Sequence, residues 1–316
     1  MNAPVIVGFD GSRSAHAAVR YGADEAVLRD RELRIVHAFR WPLIYPPLDS
    51  EYDPHERGPR VAMLNRLTQT ARDVQQNHPH LPVSIRLFEG SPGGVLVAAS
   101  RDAELLIVGH RAPGGFTGLL AGSVGVQTTG HAHCPVVVVR GDVRPGAALI
   151  VLGVDGSADA RCTADAAFAQ AKRRGAEVLV AYRPPTHPRW PAMGPQGNSS
   201  VVDEFALSLR DAARRYPDVK YRTEVVVHGD SAATALIAAA QRMEAGLLVV
   251  GSRGVGGFHG LMMGSTFRSL IEHASCPVMV IPAAAHPRPT PMGVSGIDTA
   301  RRPAPRDVID SDLHRL

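Results

Sequence analysis

The stretch LLIVGHRAPGGFTGLLAGS at 105–123 is written again, with few changes, as LLVVGSRGVGGFHGLMMGS at 247–265. In both places a run of branched aliphatic residues ends in Gly, passes through a glycine-rich segment and closes on Gly-Ser. Outward from these, VIVGFDGS at 5–12 returns as IVLGVDGS at 150–157, and HCPVVVV at 133–139 returns as SCPVMVI at 275–281. The offsets are 145, 142 and 142 residues. Three separated segments repeating at nearly one spacing define a duplicated domain of ordinary size, not a solenoid of short units. The expected domains are 1–143 and 147–282, joined at the Gly- and Pro-punctuated GDVRPGA of 141–147. A Pro- and Arg-rich tail, 283–316, is expected to be disordered or draped over the body.

Within each copy, short Val/Ile/Leu runs alternate with segments whose apolar residues recur at helical spacing, as in AHAAVRYGADEAVLRD at 15–30. Strands are expected at 4–9, 33–39, 83–88, 105–109 and 135–140, and again at 148–154, 177–182, 221–227, 247–251 and 277–281. Because these runs are continuously apolar, they suit strands covered on both faces, hence a parallel sheet with helical crossovers. The fold class is α/β: two Rossmann-like domains, each a five-stranded parallel sheet of order 3-2-1-4-5 flanked by helices. Two Pro-rich segments, 40–59 and 183–200, follow the second strand of each copy and are too long for simple connections. They read equally as covers for a ligand and as surface excursions.

Composition narrows the function. With 316 residues, 45% hydrophobic and 20% charged, the chain is globular, and its net charge of +4 is spread without a basic block or aromatic interleaving. No nucleic-acid partner is expected. Neither a secretory leader nor a membrane-length apolar run is present, and three cysteines are too few for a disulfide framework, so a cytoplasmic location and no membrane partner are expected.

A strand ending in Gly, a glycine-rich loop and Gly-Ser opening a helix present main-chain N–H groups and a helix dipole to an anion, and phosphate suits that place. Ser123 and Ser265 can cap the helix or reach a phosphate oxygen. There is no Gly-Lys pair, which disfavours a Walker A loop, and G-x-D-G-S stands where the dinucleotide fingerprint would be. In a 3-2-1-4-5 sheet the crevice between strands 1 and 4 is the ligand position. Asp10 and Asp155, at the end of strand 1, would face the glycine loop there. Each Asp is also what a D-G-S turn uses to close itself. HAHC at 131–134 carries metal-binding residue types but reads as a helix end and strand entry, so no metal site is expected. His110 is placed for proton transfer but is Ser252 in the other copy. Arg111 and Arg253 add charge, and no evident base accompanies them.

These motifs resemble the tandem universal stress proteins of the ATP-binding type, over both domains to about residue 282. The nucleotide motif G-x2-G-x9-G-[ST] of that family is matched by Gly251, Gly254, Gly264 and Ser265; the first copy has Gly109, Gly122 and Ser123, with Ala112 at the second glycine. The resemblance implies ATP, with a magnesium companion left open, and a cofactor-binding set for each copy. In the first it is Asp10, Gly11, Ala38, Gly109, His110, Arg111, Gly122, Ser123 and Val124. In the second it is Asp155, Gly156, Gly251, Ser252, Arg253, Gly254, Gly264, Ser265 and Thr266. The aspartates would hold the adenosine end, the first glycines ribose and phosphate, and the Gly-Ser pairs the phosphates. Ala38 would touch adenine; its counterpart Arg183 breaks that pattern. A regulator of stress adaptation (hypoxia, starvation or growth arrest) with an unidentified protein partner is implied, against two alternatives, a slow ATPase and an interaction protein with a vestigial site. Family members commonly pair through the last strand. Its apolar VVVV and VMVI edges are therefore expected to join as an internal pseudo-dimer, with a homodimer of chains as a further step.

Overall fold

The computed structural model describes residues 3–39, 58–110, 123–141, 143–144, 146–154, 160–182, 199–225, 231–252, 265–282 and 307–311. The first repeat runs β1 (Val5–Gly8), α1 (Arg13–Arg29), β2 (Leu33–Phe39), α2 (Pro59–Asn77), β3 (Val83–Glu89), α3 (Pro92–Ala99), β4 (Leu105–Gly109), α4 (Ser123–His131) and β5 (Val136–Val139). The second copies it: β6 (Leu149–Val154), α5 (Ala160–Arg174), β7 (Glu177–Tyr182), α6 (Ser199–Arg215), β8 (Tyr221–Val225), α7 (Ala232–Arg242), β9 (Leu247–Gly251), α8 (Ser265–His273) and β10 (Val278–Ile281). A further strand, β11 (Asp307–Ser311), follows.

All these strands belong to one sheet of order β11-β3-β2-β1-β4-β5-β10-β9-β6-β7-β8. Each repeat is parallel and ordered 3-2-1-4-5, and the repeats join where β5 and β10 pair antiparallel. Val5 and Val7 point to one face and Ile6 to the other, and all three are buried; that is why the strands read as continuous rather than alternating apolar runs. One face is covered by α1, α2, α5 and α6, the other by α3, α4, α7 and α8.

Local chemistry sets the helix ends. Ser12 caps α1 by accepting from Ala15 N, and Asp30 closes it in the left-handed region at φ 54°. Gly175 takes the same role after α5 at φ 62°.

Within the tail, residues 307–311 form an antiparallel strand on β3: the β-branched Val308 and Ile309 give the stretch β propensity, and β3 would otherwise present an open row of N–H and C=O groups. The segments 40–57 and 183–198 lie outside the described residues; 58–59 and 199–200 belong to the start of α2 and α6.

Candidate functional site

The pocket of the first repeat opens at the carboxyl ends of β1 and β4, the strands whose crossovers leave in opposite directions along the sheet. Of the sequence-expected residues, Asp10, Ala38, Gly109, His110 and Val124 line it together. Gly11 lies beside them in the left-handed region at φ 79°, where a side chain would be strained. Ser123 opens α4, and Val124 and Gly125, in the first turn of that helix, face the cavity, so the positive end of the α4 dipole is directed to it. Arg111 and Gly122, together with Ala112, lie outside the described residues.

In the second repeat, Gly251 and Ser252 end β9, Ser265 opens α8 and Thr266 follows it half-buried. Asp155, Gly156, Arg253, Gly254 and Gly264, and also Arg183, lie outside the described residues. The main chain at the two strand ends is equivalent: His110 N donates to Val139 O and Ser252 N to Ile281 O, both at 2.9 Å.

Asp10 is exposed, and its Oδ1 accepts from Ser12 N at 3.0 Å, the Asx turn that D-G-S allows. Ser12 Oγ lies 3.0 Å from Ser14 Oγ, so two hydroxyls stand beside the carboxylate at the pocket rim. Gly109 has a steric reason of its own: a Cβ there would lie 2.5 Å from Ser14 O and 2.6 Å from Ser14 C. The glycine lets the end of β4 touch the first turn of α1. Ala38 is the penultimate residue of β2, opposite Phe88 of β3, and Gly90 N continues the ladder to Phe39 O.

Several lining residues had no sequence signal. His37 stands next to Ala38 with Nδ1 2.7 Å from Phe9 O, so in the neutral ring Nδ1–H donates to that carbonyl. Burial lowers its pKa, with the Phe9 carbonyl and Asp10 opposing in part. Alternation along β2 would have placed its neighbours; nothing marked His37 itself. His110 is also lowered, first by burial and then by Arg140 and His273, against Glu272. Ile271, on α8 of the other repeat, completes the wall, and Arg140 Nη1 donates to its carbonyl at 2.8 Å.

In the HAHC segment, His131 ends α4 with Nδ1 3.1 Å from Gln127 O, and His133 N donates to Ser100 Oγ. Cys134 is buried, which pushes its thiol up to about 12. Among the described residues no three His, Cys, Asp or Glu side chains gather as a metal site, and no described helix is long and apolar enough to cross a membrane.

Fold and pocket together define a tandem, doubly wound α/β protein with a switch-point cavity formed by a carboxylate, a short apolar wall and a helix N-terminus. Residues 1–140 and 149–282 each match the universal stress protein family, and the chain belongs to that family. It is 30% identical over 292 residues to a universal stress protein of Mycolicibacterium smegmatis (88% of this chain, 96% of that one). It is 31% identical over 287 residues to one of Mycobacterium tuberculosis (87% and 95%). A solved universal stress protein from Archaeoglobus fulgidus shares the fold at 18% identity, with a TM-score of 0.66 over 88% of this chain and 98% of that one. At the level of the family, the role is in the stress response.

Proposed function

We propose that the chain binds ATP in the pocket of the first repeat and acts as a nucleotide-dependent regulator of stress adaptation. The observation that carries this reading is the convergence of Asp10, Ala38, Gly109, His110 and Val124 on one cavity at the switch point. The chemistry is divided as a nucleotide requires. Val36, Ala38, Leu96 and Val108 offer an apolar slot for a base. Asp10 can accept hydrogen bonds from ribose hydroxyls. The first turn of α4 offers main-chain N–H groups to phosphates. Asp10 is the one carboxylate among the described lining residues, so a magnesium ion would be held mainly by the phosphate oxygens of ATP, as that small cation commonly is. The second repeat, with Ser252 and Thr266 at matching places, is a second candidate site. Three cysteines, none of them in a disulfide, suit action in a reducing cytoplasm. A change of surface on binding, read by a protein partner or a second copy, would carry the signal.

Native mass spectrometry of the freshly purified chain, with thermal melts in added ATP, ADP and AMP, tests the reading. Co-purified nucleotide, or a stabilisation approaching about 2.7 kcal/mol at a hundredfold excess over Kd, is expected. Ala38→Arg, which fills the apolar slot, should abolish the ATP-dependent rise if the first repeat alone is occupied. No bound mass and no shift with any nucleotide would overturn it.

A further inference from the structure

The repeats meet not only through β5 and β10 but also where α1 touches α5, and there the contact is charged and buried. Glu25 on α1 has no exposed surface, and Arg29 and Gln170 are buried beside it. Gln170 Nε2 donates to Glu25 Oε1 at 2.6 Å, while Arg29 Nη2 donates to Gln170 Oε1 at 2.9 Å. Arg29 also pairs with Glu25 at 2.9 Å within α1. From α5, Arg174 Nη2 bonds Glu25 Oε1 and reaches Tyr21 Oη at 2.6 Å, with its guanidinium 5.4 Å from the Tyr21 ring centroid. At the margin, Glu104 takes Arg31 at 2.6 Å, Arg173 at 3.7 Å and Arg29 at 3.8 Å.

In the repeat register Glu25 is equivalent to Gln170 and Arg29 to Arg174, each 145 residues on; Glu104 is equivalent to Gly246, 142 residues on. The pseudo-two-fold therefore sets a position against its own counterpart, and one copy carries a carboxylate where the other carries an amide. We propose that this asymmetry selects repeat 2, rather than another copy of repeat 1, as the partner of repeat 1. A pairing of two first repeats would put two Glu25 carboxylates where a carboxylate now accepts from an amide. Two like charges at that distance in a buried site repel, and one would have to take a proton. A pairing of two second repeats would bring Arg173 and Arg174 of both together with no acid at the equivalents of Glu25 or Glu104. Only the mixed pairing sets an amide donor against a single buried carboxylate that Arg29 and Arg174 share from the two sides.

The cluster is tuned for this choice and not for strength. Burial pushes the Glu25 carboxyl up, but Arg29, Arg174 and the hydrogen bonds from Gln170 and Arg174 outweigh it and hold it below the usual range, so Gln170 meets an ionised acid. Arg29 Nε and Nη1 and Arg174 Nε, all buried, find no hydrogen-bond acceptor among the described residues. A buried ionic cluster left partly unsatisfied is a poor source of net stability, and its best-attested use is to fix which partner and register are adopted.

The test is a charge swap in the full-length chain: Glu25→Gln, Gln170→Glu and the double variant, followed by thermal unfolding near neutral pH and on lowering the pH. Each single variant should lose roughly 6–12 °C in Tm. The double variant restores one carboxylate facing one amide and should recover more than half of the summed loss. In Gln170→Glu, the new acid faces Glu25, Tyr21, Arg29, Arg173, Arg174 and Glu104; its pKa is raised by Glu25, so the deficit should shrink as pH falls and one carboxyl gains a proton. If neither single variant folds, the double variant decides alone, by melting near the parent. Additive losses in the double variant, or a Gln170→Glu deficit independent of pH, would overturn the proposal.

Discussion

Val137 and Met279, equivalent residues of the two repeats, lie directly opposite each other in the β5–β10 ladder, so the pseudo-dyad of the molecule passes between them. Both are buried, Val137 fully and Met279 to within 2%. The junction makes one sheet of two domains, and its side chains belong to a core that runs through both repeats. Met279→Lys would bury an unpaired ammonium at this point and should cost about 3–5 kcal/mol. Met279→Leu, close in volume, should cost less than about 1.5 kcal/mol. Calorimetry would register the first as a single parental transition splitting into two as the repeats uncouple. A Lys variant that melts like the parent would mean that β5–β10 pairing does not hold the domains together.

Gly8 and Gly109 both lack room for a side chain, but the neighbours differ. At Gly8 a Cβ meets the tip of Leu96 at 2.8 Å, and a side-chain end can move; at Gly109 it meets the main chain of Ser14 at 2.5 Å. Gly109→Ala should therefore cost about 1–3 kcal/mol, and Gly8→Ala less. Denaturant midpoints at unchanged m give the comparison. Because the Gly109 contact also positions the first turn of α1 at the pocket, only Gly109→Ala should weaken nucleotide-dependent stabilisation beyond its effect on the fold. The reverse order of costs would place the tight contact at the wrong strand.

How far the sequence carried depends on whether a residue's neighbours are near in the chain. The limits of β2, β4, β7 and β9 match the runs expected at 33–39, 105–109, 177–182 and 247–251, because strands covered on both faces are built mainly from apolar residues. The D-G-S turn closed by Asp10 is local chemistry and is equally readable, whereas the cap of α1 falls to Ser12. Glu25 was not: four residues before Arg29, it has the spacing of a solvated helix pair, and only α5 from the other repeat buries it. Ile271 enters the pocket in the same way, from across the junction. The resemblance implies a ribose and phosphate contact for Gly109, and the fold adds a demand of its own, the close approach of Ser14. In the tail, two apolar residues between aspartates gave no periodic signal, and the open edge of β3 supplied the template.

Asp10 has a turn to hold and, on the proposed reading, a ribose to bind, and two substitutions separate these tasks. Asn retains an oxygen for Ser12 N, whereas Ala leaves that N–H without its 3.0 Å partner. Asp10→Ala should lose about 1 kcal/mol of stability, in the range of a lost cap or local side-chain hydrogen bond. Asp10→Asn should lose little. Both should weaken ATP binding, since neither offers an ionised acceptor to the ribose hydroxyls, and the change read by calorimetric titration should exceed tenfold for Ala. Unaltered affinity in both variants would reduce Asp10 to a turn residue.

Two histidines at the pocket set a pH dependence whose sign follows from their environment. His37 and His110 are both lowered, chiefly by burial, so in the folded chain they take up protons at lower pH than in the unfolded chain, where the ordinary value is about 6.5. Below that value the unfolded state holds more protons, and stability is fully present above about pH 6.5 and lost as pH falls through the two folded values. Glu25, held below the usual carboxyl range, adds a second loss at still lower pH, below about 4.3. Tm should thus be nearly flat from pH 8 to 7, then decline in two stages. His37→Gln keeps a donor for Phe9 O, 2.7 Å from the ring nitrogen in the parent, but cannot titrate, so it should flatten part of the first stage and leave the second intact. Melts followed by circular dichroism across this range give both slopes. A parent Tm that rises on acidification from pH 7 to 5.5, or a first stage unchanged in the Gln variant, would remove His37 as a source of the dependence.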